Sequence, residues 1–322
     1  MPSERYPKIA IKSKNDLAKR ISHKKLSQQD ALYLINDVLD NFDKYWKDAP
    51  EPLSEPNNNK YVRNAKRTPL GKLLKLIDRN ILQPHDTMVP HFIFGGVKNK
   101  DHVKAAKNLI GRKKYRTLLK SDLSRFYEHV PQERVVHFFM EKTQCSRAGA
   151  RLLAKLCCVP KGPKGSQSNE MTIARGFATS SRLAVWCNLD FFLKLYWLVK
   201  EQLKEHDPRL SIYVDDIGIT ASRVTVEQME QLYTKIRNIF NPEIGYSLPL
   251  NETKKKIKSY KEGMRILGTI ILRNSLHVSD KTTSKIQSLK KKISKSKGRK
   301  EREKNKEKKN NLMIYKHYVE SK

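Results

Sequence analysis

Apolar residues recur at helical spacing in several stretches of this chain and at strand spacing in one. Behind Ser27, the residues Ala31, Leu34, Ile35, Val38, Leu39 and Phe42 form an i, i+3, i+4 stripe that predicts an amphipathic helix capped by that serine. Its outer face is acidic, and it reads as a helix packed on its neighbours, with a protein–protein contact as the alternative. Residues 70–82 and 224–240 carry the same period, the second as the helix of a βαβ-type layer. The most apolar run, Leu183 to Val199, reads as one buried helix although Asn188, Asp190 and Lys194 interrupt it. Leu210 to Thr220 has β-branched and aromatic arms around a central acidic pair, which predicts a β-hairpin. Near the end, Ile286, Leu289 and Ile293 give one apolar edge to a basic helix. Residues 296–310 read as helix or as a disordered basic tail, and Leu312 to Tyr315 with Tyr318 as a short helix docking back. Ala49 to Asn59, rich in proline and asparagine, reads as a linker, and residues 159–170 as a flexible loop. Residues 1–26 are basic and aperiodic, an arm expected to order on nucleic acid.

Charge narrows the partner. The 322 residues carry a formal net charge of +33, and self-repulsion on that scale calls for a polyanion. A membrane surface competes for that role, but no stretch is uninterrupted and apolar enough to span one. The amino terminus lacks the apolar core of a signal peptide, so a cytoplasmic protein is expected. Cys145, Cys157, Cys158 and Cys187 have no zinc-knuckle spacing and read as reduced core thiols.

The candidate chemistry centres on Tyr213-Val214-Asp215-Asp216, at the bend of the predicted hairpin. Two adjacent carboxylates are poorly placed there unless a cation meets them, and Mg2+ favours hard oxygen ligands. A further carboxylate, Asp122 in Leu119-Lys120-Ser121-Asp122, ends a short predicted strand, with Phe126 and Tyr127 close behind as a wall for a nucleotide sugar. Downstream, Arg175-Gly176-Phe177-Ala178-Thr179-Ser180 is a small-residue turn that would let backbone approach a base pair. Taken singly, each piece also has an ordinary reading: a solvated turn, a capping aspartate, a glycine turn before a helix.

In this order the three pieces resemble the reverse transcriptase family. Asp122 matches its first catalytic motif, Arg175 to Ser180 its second, and Tyr213 to Asp216 its Tyr-x-Asp-Asp motif. Leu250-Asn251-Glu252-Thr253-Lys254 is similar to the fourth motif. Ile266-Leu267-Gly268 with Leu276-His277-Val278 is similar to the primer-grip hairpin, and Arg63 to Leu82 with Phe94 to Lys98 to bacterial fingers. The resemblance spans roughly residues 60–290. It implies an α+β right-hand polymerase: an arm, helix and linker (1–59), fingers (60–120), an antiparallel palm (121–275, with 130–174 partly fingers) and a short helical thumb (276–322).

The resemblance also implies roles. Asp122, Asp215 and Asp216, with Leu123, would hold two Mg2+ ions, for which Mn2+ can substitute. Lys254 would protonate the departing pyrophosphate, and Tyr127 would exclude ribonucleotides. Leu123, Arg125, Phe126, Arg175, Gly176 and Val214 would line the nucleotide. Tyr213, Arg63, Lys66, Lys98, Gly268, Lys290, Lys291 and Lys292 would meet nucleic acid. The expected activity is RNA-directed DNA polymerisation from dNTPs onto a DNA primer or product. The expected template is a dedicated structured non-coding RNA, in bacterial anti-phage defence, with self-association left open.

Departures from the family pattern sharpen this. Most members carry Gln-Gly-x-Pro-x-Ser-Pro in the second motif, where this chain has Arg175, Ala178 and Ser181. Arg175 is therefore expected to hold an RNA strand or a terminal phosphate. Retron enzymes usually carry Asn-Ala-x-x-His and Val-Thr-Gly where this chain has Lys104 to Asn108 and Ile266-Leu267-Gly268. The nearer resemblance is to defence-associated bacterial reverse transcriptases outside the retron group, with retron enzymes next. The 54 residues after Gly268 are expected to leave no room for the maturase domain of group II introns. Alternatives stay open: template-independent or protein-primed synthesis, an RNA-copying RNA polymerase, or an RNA-binding palm scaffold without catalysis. Loss of residues 281–322 is expected to harm duplex holding more than single-nucleotide addition.

Overall fold

The computed structural model describes residues 6–272, 275–296 and 298–321. The fold is mixed α+β, with antiparallel sheets. It resolves into two compact units, each assembled from separated stretches of chain. The first takes Met1–Lys100, Leu123–Leu193 and Ile244–Pro249, and the second Asp101–Asp122, Lys194–Glu243 and Leu250–Lys322. These cuts do not follow the sequence boundaries at 59, 120 and 275.

The second unit is built on a four-stranded sheet, ordered Arg209–Tyr213, Asp216–Ser222, Arg116–Asp122, Lys256–Ser259. Every neighbouring pair is antiparallel. The strands Asp216–Ser222 and Lys256–Ser259 flank Arg116–Asp122 and so run parallel to each other. The helix Val226–Phe240 lies between them in sequence, giving a split β-α-β arrangement instead of a directly paired parallel one. A Thr225–Gln228 capping box starts that helix, and Met229, Leu232, Ile236 and Phe240 are buried along one stripe. Gly218 is small for a reason: a Cβ there would lie 2.4 Å from Ile266 and 2.8 Å from Leu109. Arg116 is 1% exposed and binds Asp207 at 2.8 Å and Thr220 Oγ1 at 3.0 Å, so its buried charge is matched.

A second antiparallel sheet joins Met264–Ile266, Thr269–Leu272 and Ser275–Val278. Two helices follow, Asp280–Lys295 and Arg299–Glu320. The described part of 296–310 is thus largely helical, while Lys297 lies outside the described residues. The docking expected of Tyr315 and Tyr318 is the end of this 22-residue helix, and Val319 beside them is fully buried. It packs in a core with Val103, Ala106, Leu109, Leu118, Ile271 and Leu276.

In the first unit several expectations change. The arm folds: Ile9 and Ile11 are fully buried, and the amides of Ile9 and Ala10 donate to the Thr143 carbonyl. Ser13 caps a helix, Lys14–Ile21, that buries Leu17, Ala18 and Ile21. Dense charge around these few apolar residues hid their spacing. Residues 1–5 of the expected arm lie outside the described residues. Helix Gln28–Asp40 buries Ala31, Leu34, Ile35 and Val38 behind the Ser27 cap. The stretch after Ala49 is a closed loop, not a linker, because Lys47–Asp48 pairs with Arg63–Asn64 and the Ala49 amide donates to Val62. Residues 159–170 likewise close a hairpin, Cys158–Pro160 against Met171–Ile173, and the Lys164 amide donates to Asp48. The apolar run from 183 splits into Ser180–Cys187 and Leu189–Gln202 at Asn188, whose side-chain amide donates to the Ala184 carbonyl. All four cysteines are free and buried, and burial pushes the Cys157 thiol up to about 12. Among the described residues no helix is long and apolar enough to cross a membrane.

Candidate metal centre

Three carboxylates meet at one end of the four-stranded sheet. Asp122 is the last residue of the central strand and its cross-strand partner is Asp216, the first residue of the next. Asp215 precedes it in the two-residue tip that follows Tyr213, since Tyr213 pairs with Asp216. One oxygen from each of Asp122, Asp215 and Asp216 lies within 4.8 Å of the others. Directly opposed like charges destabilise a sheet, so the cluster calls for cations. Val214 sits at the tip with φ +60. That region is uncommon for a β-branched residue and costs on the order of 1–3 kcal/mol.

Two lysines meet the cluster. Lys254 Nζ donates to Asp122 Oδ2 at 2.9 Å, and Lys120 Nζ lies 3.3 Å from Asp216 Oδ1. The bond to Asp122 comes first among the causes that raise the Lys254 pKa. Burial opposes it, and the charges of Asp122, Asp215 and Asp216 add to it. The ammonium is therefore the form held at neutral pH. Its placement is local: the Asn251 amide donates to the Asp122 carbonyl at 2.7 Å, and a short 3-10 turn, Glu252–Lys254, follows. Lys120 is a residue the motif reading missed. It lies two positions before Asp122 on one strand, hence on the same face, and that alternation was available in the sequence. The three carboxylates offer an all-oxygen donor set, with Lys254 on Asp122 and Lys120 beside Asp216. Such a set suits a hard divalent cation.

Other expected site residues lie in the first unit. The Tyr127 ring is nearly buried, its hydroxyl is 2.8 Å from Ser181 Oγ, and the Arg175 guanidinium lies 4.8 Å from its centroid. Arg175 donates through Nε and Nη2 to Glu128 at 3.0 and 2.9 Å. The edge with which an arginine grips a phosphate is thus held by a carboxylate, a partner the motif reading did not include. Gly176 is exposed with φ +100, and a Cβ there would lie 2.6 Å from the Arg63 carbonyl. Phe126 is corrected from nucleotide wall to core: it is fully buried, with its ring 6.3 Å from that of Phe192. The Leu123 side chain is buried too, leaving its backbone as the group that could serve a ligand. Arg63 is corrected from template contact to internal ion pair. It faces Asp48 across two short strands, binds the carbonyls of Pro160 and Gly162, and stacks on Trp46.

Arg125, Lys66 and Lys98 are exposed in this unit, and Arg125 reaches the Asn58 carbonyl at 3.4 Å. In the second unit Gly268, Lys290, Lys291 and Lys292 are exposed, and Tyr213 is half-buried against His102.

No protein-family model matches the sequence, and no curated protein matches it. Among solved structures the chain is similar to telomerase from Candida albicans in complex with the TWJ fragment of telomeric RNA, at 13% identity and a TM-score of 0.41. The match covers 70% of this chain and 42% of that one, so this chain spans less than half of that chain's length.

Proposed function

We propose that this chain is a metal-dependent nucleotidyltransferase that copies RNA into DNA. The observation that carries this reading is the meeting of Asp122, Asp215 and Asp216 within 4.8 Å, with Lys254 bonded to the first of them. The second unit supplies the palm and, in its last two helices, the thumb, and the first unit includes the fingers. The three carboxylates would hold a pair of Mg2+ ions, with the Leu123 carbonyl as the further ligand the resemblance implies. Bound there, such ions supply positive charge to the attacking and leaving oxygens of phosphoryl transfer.

The primer 3′-hydroxyl gives its proton to solvent as its oxygen forms a bond to the α-phosphorus, the α-phosphorus bond to the bridging oxygen breaks, and pyrophosphate leaves. Positioning and electrostatics lower the barrier without a covalent enzyme intermediate. Lys254 holds the proton that the pyrophosphate accepts. The dedicated RNA template and a role in anti-phage defence extend this reading by resemblance alone.

A metal-dependent extension assay with defined templates tests it. DNA synthesis that follows the RNA template supports the reading. Addition without template points to template-independent or protein-primed synthesis, and no incorporation on any substrate leaves a binding scaffold. The Tyr127→Val protein should favour ribonucleotides about ten- to a hundredfold more than the parent, by analogy with pocket-shape discrimination. An unchanged deoxy preference would remove Tyr127 from that role.

The partner is tested by salt. A net charge of +33 implies many phosphate contacts. Affinity for RNA should then fall by roughly a thousandfold or more between 50 and 200 mM salt. Sequencing the co-purified nucleic acid decides whether the partner is one dominant RNA or a mixture of host species.

A further inference from the structure

The second unit contains an aromatic line that leads from its last helix to the carboxylate hairpin. We infer that the final turns of helix Arg299–Glu320 position the Asp215–Asp216 hairpin, with His102 as the relaying residue. This rests on the reading of those carboxylates as metal ligands.

Asp101 caps the short helix His102–Asn108, accepting from the amides of Val103 and Lys104 at 2.8 and 2.9 Å. Its second oxygen accepts from the Tyr318 hydroxyl at 2.7 Å. His102 Nε2 lies 3.0 Å from the Tyr315 hydroxyl, and the two rings stack with centroids 5.9 Å apart. Lys107 Nζ donates to the Ser321 carbonyl at 2.9 Å, and Val319 is fully buried beside Val103 and Ala106. The end of the last helix is thereby fixed along the helix 102–108.

That short helix in turn holds the hairpin. The Ser211 hydroxyl donates to the Ala105 carbonyl at 2.7 Å, and the Asn108 side chain donates to the Leu210 carbonyl at 2.8 Å. His102 reaches furthest toward the tip, its ring edge-on to Tyr213 with centroids 6.4 Å apart and planes at 78°. Tyr213 is the last paired residue before Val214 and Asp215. A side chain bearing on Tyr213 therefore bears on the direction in which the tip presents Asp215. Metal ligands need that direction held to about half an ångström and 10–20°. Packing of Val319 alone would stabilise the unit; the line Tyr315–His102–Tyr213 adds an aimed contact at the tip.

The test measures Mn2+ binding by the full chain with electron paramagnetic resonance, together with thermal midpoint and steady-state incorporation. Tyr315→Phe keeps the ring and removes the hydroxyl. His102→Ala removes the relay, and His102→Phe restores a ring edge against Tyr213. His102→Ala is expected to weaken Mn2+ binding about tenfold, the scale seen when a residue supporting a metal ligand is lost. The turnover number should fall with nucleotide KM unchanged, Tyr315→Phe should show a smaller loss, and His102→Phe should recover part of it. Wild-type Mn2+ affinity in His102→Ala at an unchanged midpoint overturns the inference. If His102→Ala does not fold, wild-type affinity in Tyr315→Phe overturns it instead. Binding that vanishes in Asp215→Asn but ignores both relay variants refutes only the relay. Wild-type protein with no Asp215-dependent Mn2+ binding refutes the metal reading and the relay together.

Discussion

The Asp215→Asn protein is expected to lose nucleotide incorporation by at least about a thousandfold, because several kcal/mol of charge stabilisation in phosphoryl transfer depends on metal held at that site. RNA affinity should change little. On the proposed reading it would come from lysines and arginines spread over the chain, such as Lys290, Lys291 and Lys292, which are exposed and distant in sequence from the carboxylates. The substitution is nearly isosteric, so the hairpin pairing of Tyr213 with Asp216 should persist. Incorporation at the parental rate would end the catalytic assignment of the cluster. Equal loss of incorporation and RNA binding would point to misfolding.

Deleting residues 312–322 should damage single-nucleotide addition at least as much as processivity. This reverses the sequence expectation that loss of the carboxy-terminal segment spares addition because the metal motifs lie upstream. The reason is Val319, which fills a core shared with Val103, Leu109, Leu118 and Ile271. Losing its burial removes about 2 kcal/mol and should lower the thermal midpoint by roughly 3–4 °C. The bonds of Tyr315 and Tyr318 to His102 and Asp101 go with it. A truncated protein with parental midpoint and normal addition of the first nucleotide would show that this helix serves only to hold the duplex.

Features that depend on a few neighbouring residues were legible in the sequence. The hairpin Arg209–Tyr213 and Asp216–Ser222 follows from its β-branched arms, and helix Gln28–Asp40 from its stripe and serine cap. Asp122 and Lys254 were picked out by motif, although nothing local says that they touch across 132 positions. Side-chain destinations were harder. Phe126 looks like a wall and Arg63 like a surface cation until the fold supplies Phe192 and Asp48. Arg175 reads as a free guanidinium because its partner Glu128 is 47 positions away. The folded part of the arm was hidden by composition, since lysines around Ile9, Ile11 and Leu17 mask these buried positions in what reads as a charged tail. Lys120 was legible by strand alternation, since it shares a face with Asp122 two positions on.

The packing of Val319 against Val103 also sets when the carboxylate unit can be completed during synthesis. The residues that close its core are separated by more than two hundred positions, so Asp122 and Asp215 leave the ribosome long before their support exists. Closing so long a loop costs entropy before any contact repays it, and non-local cores of this kind form slowly. The nascent chain would therefore carry its acidic cluster without its final architecture until residue 319 has been made. On the proposed reading, the positive charge made before that point would meet RNA while the unit is still open.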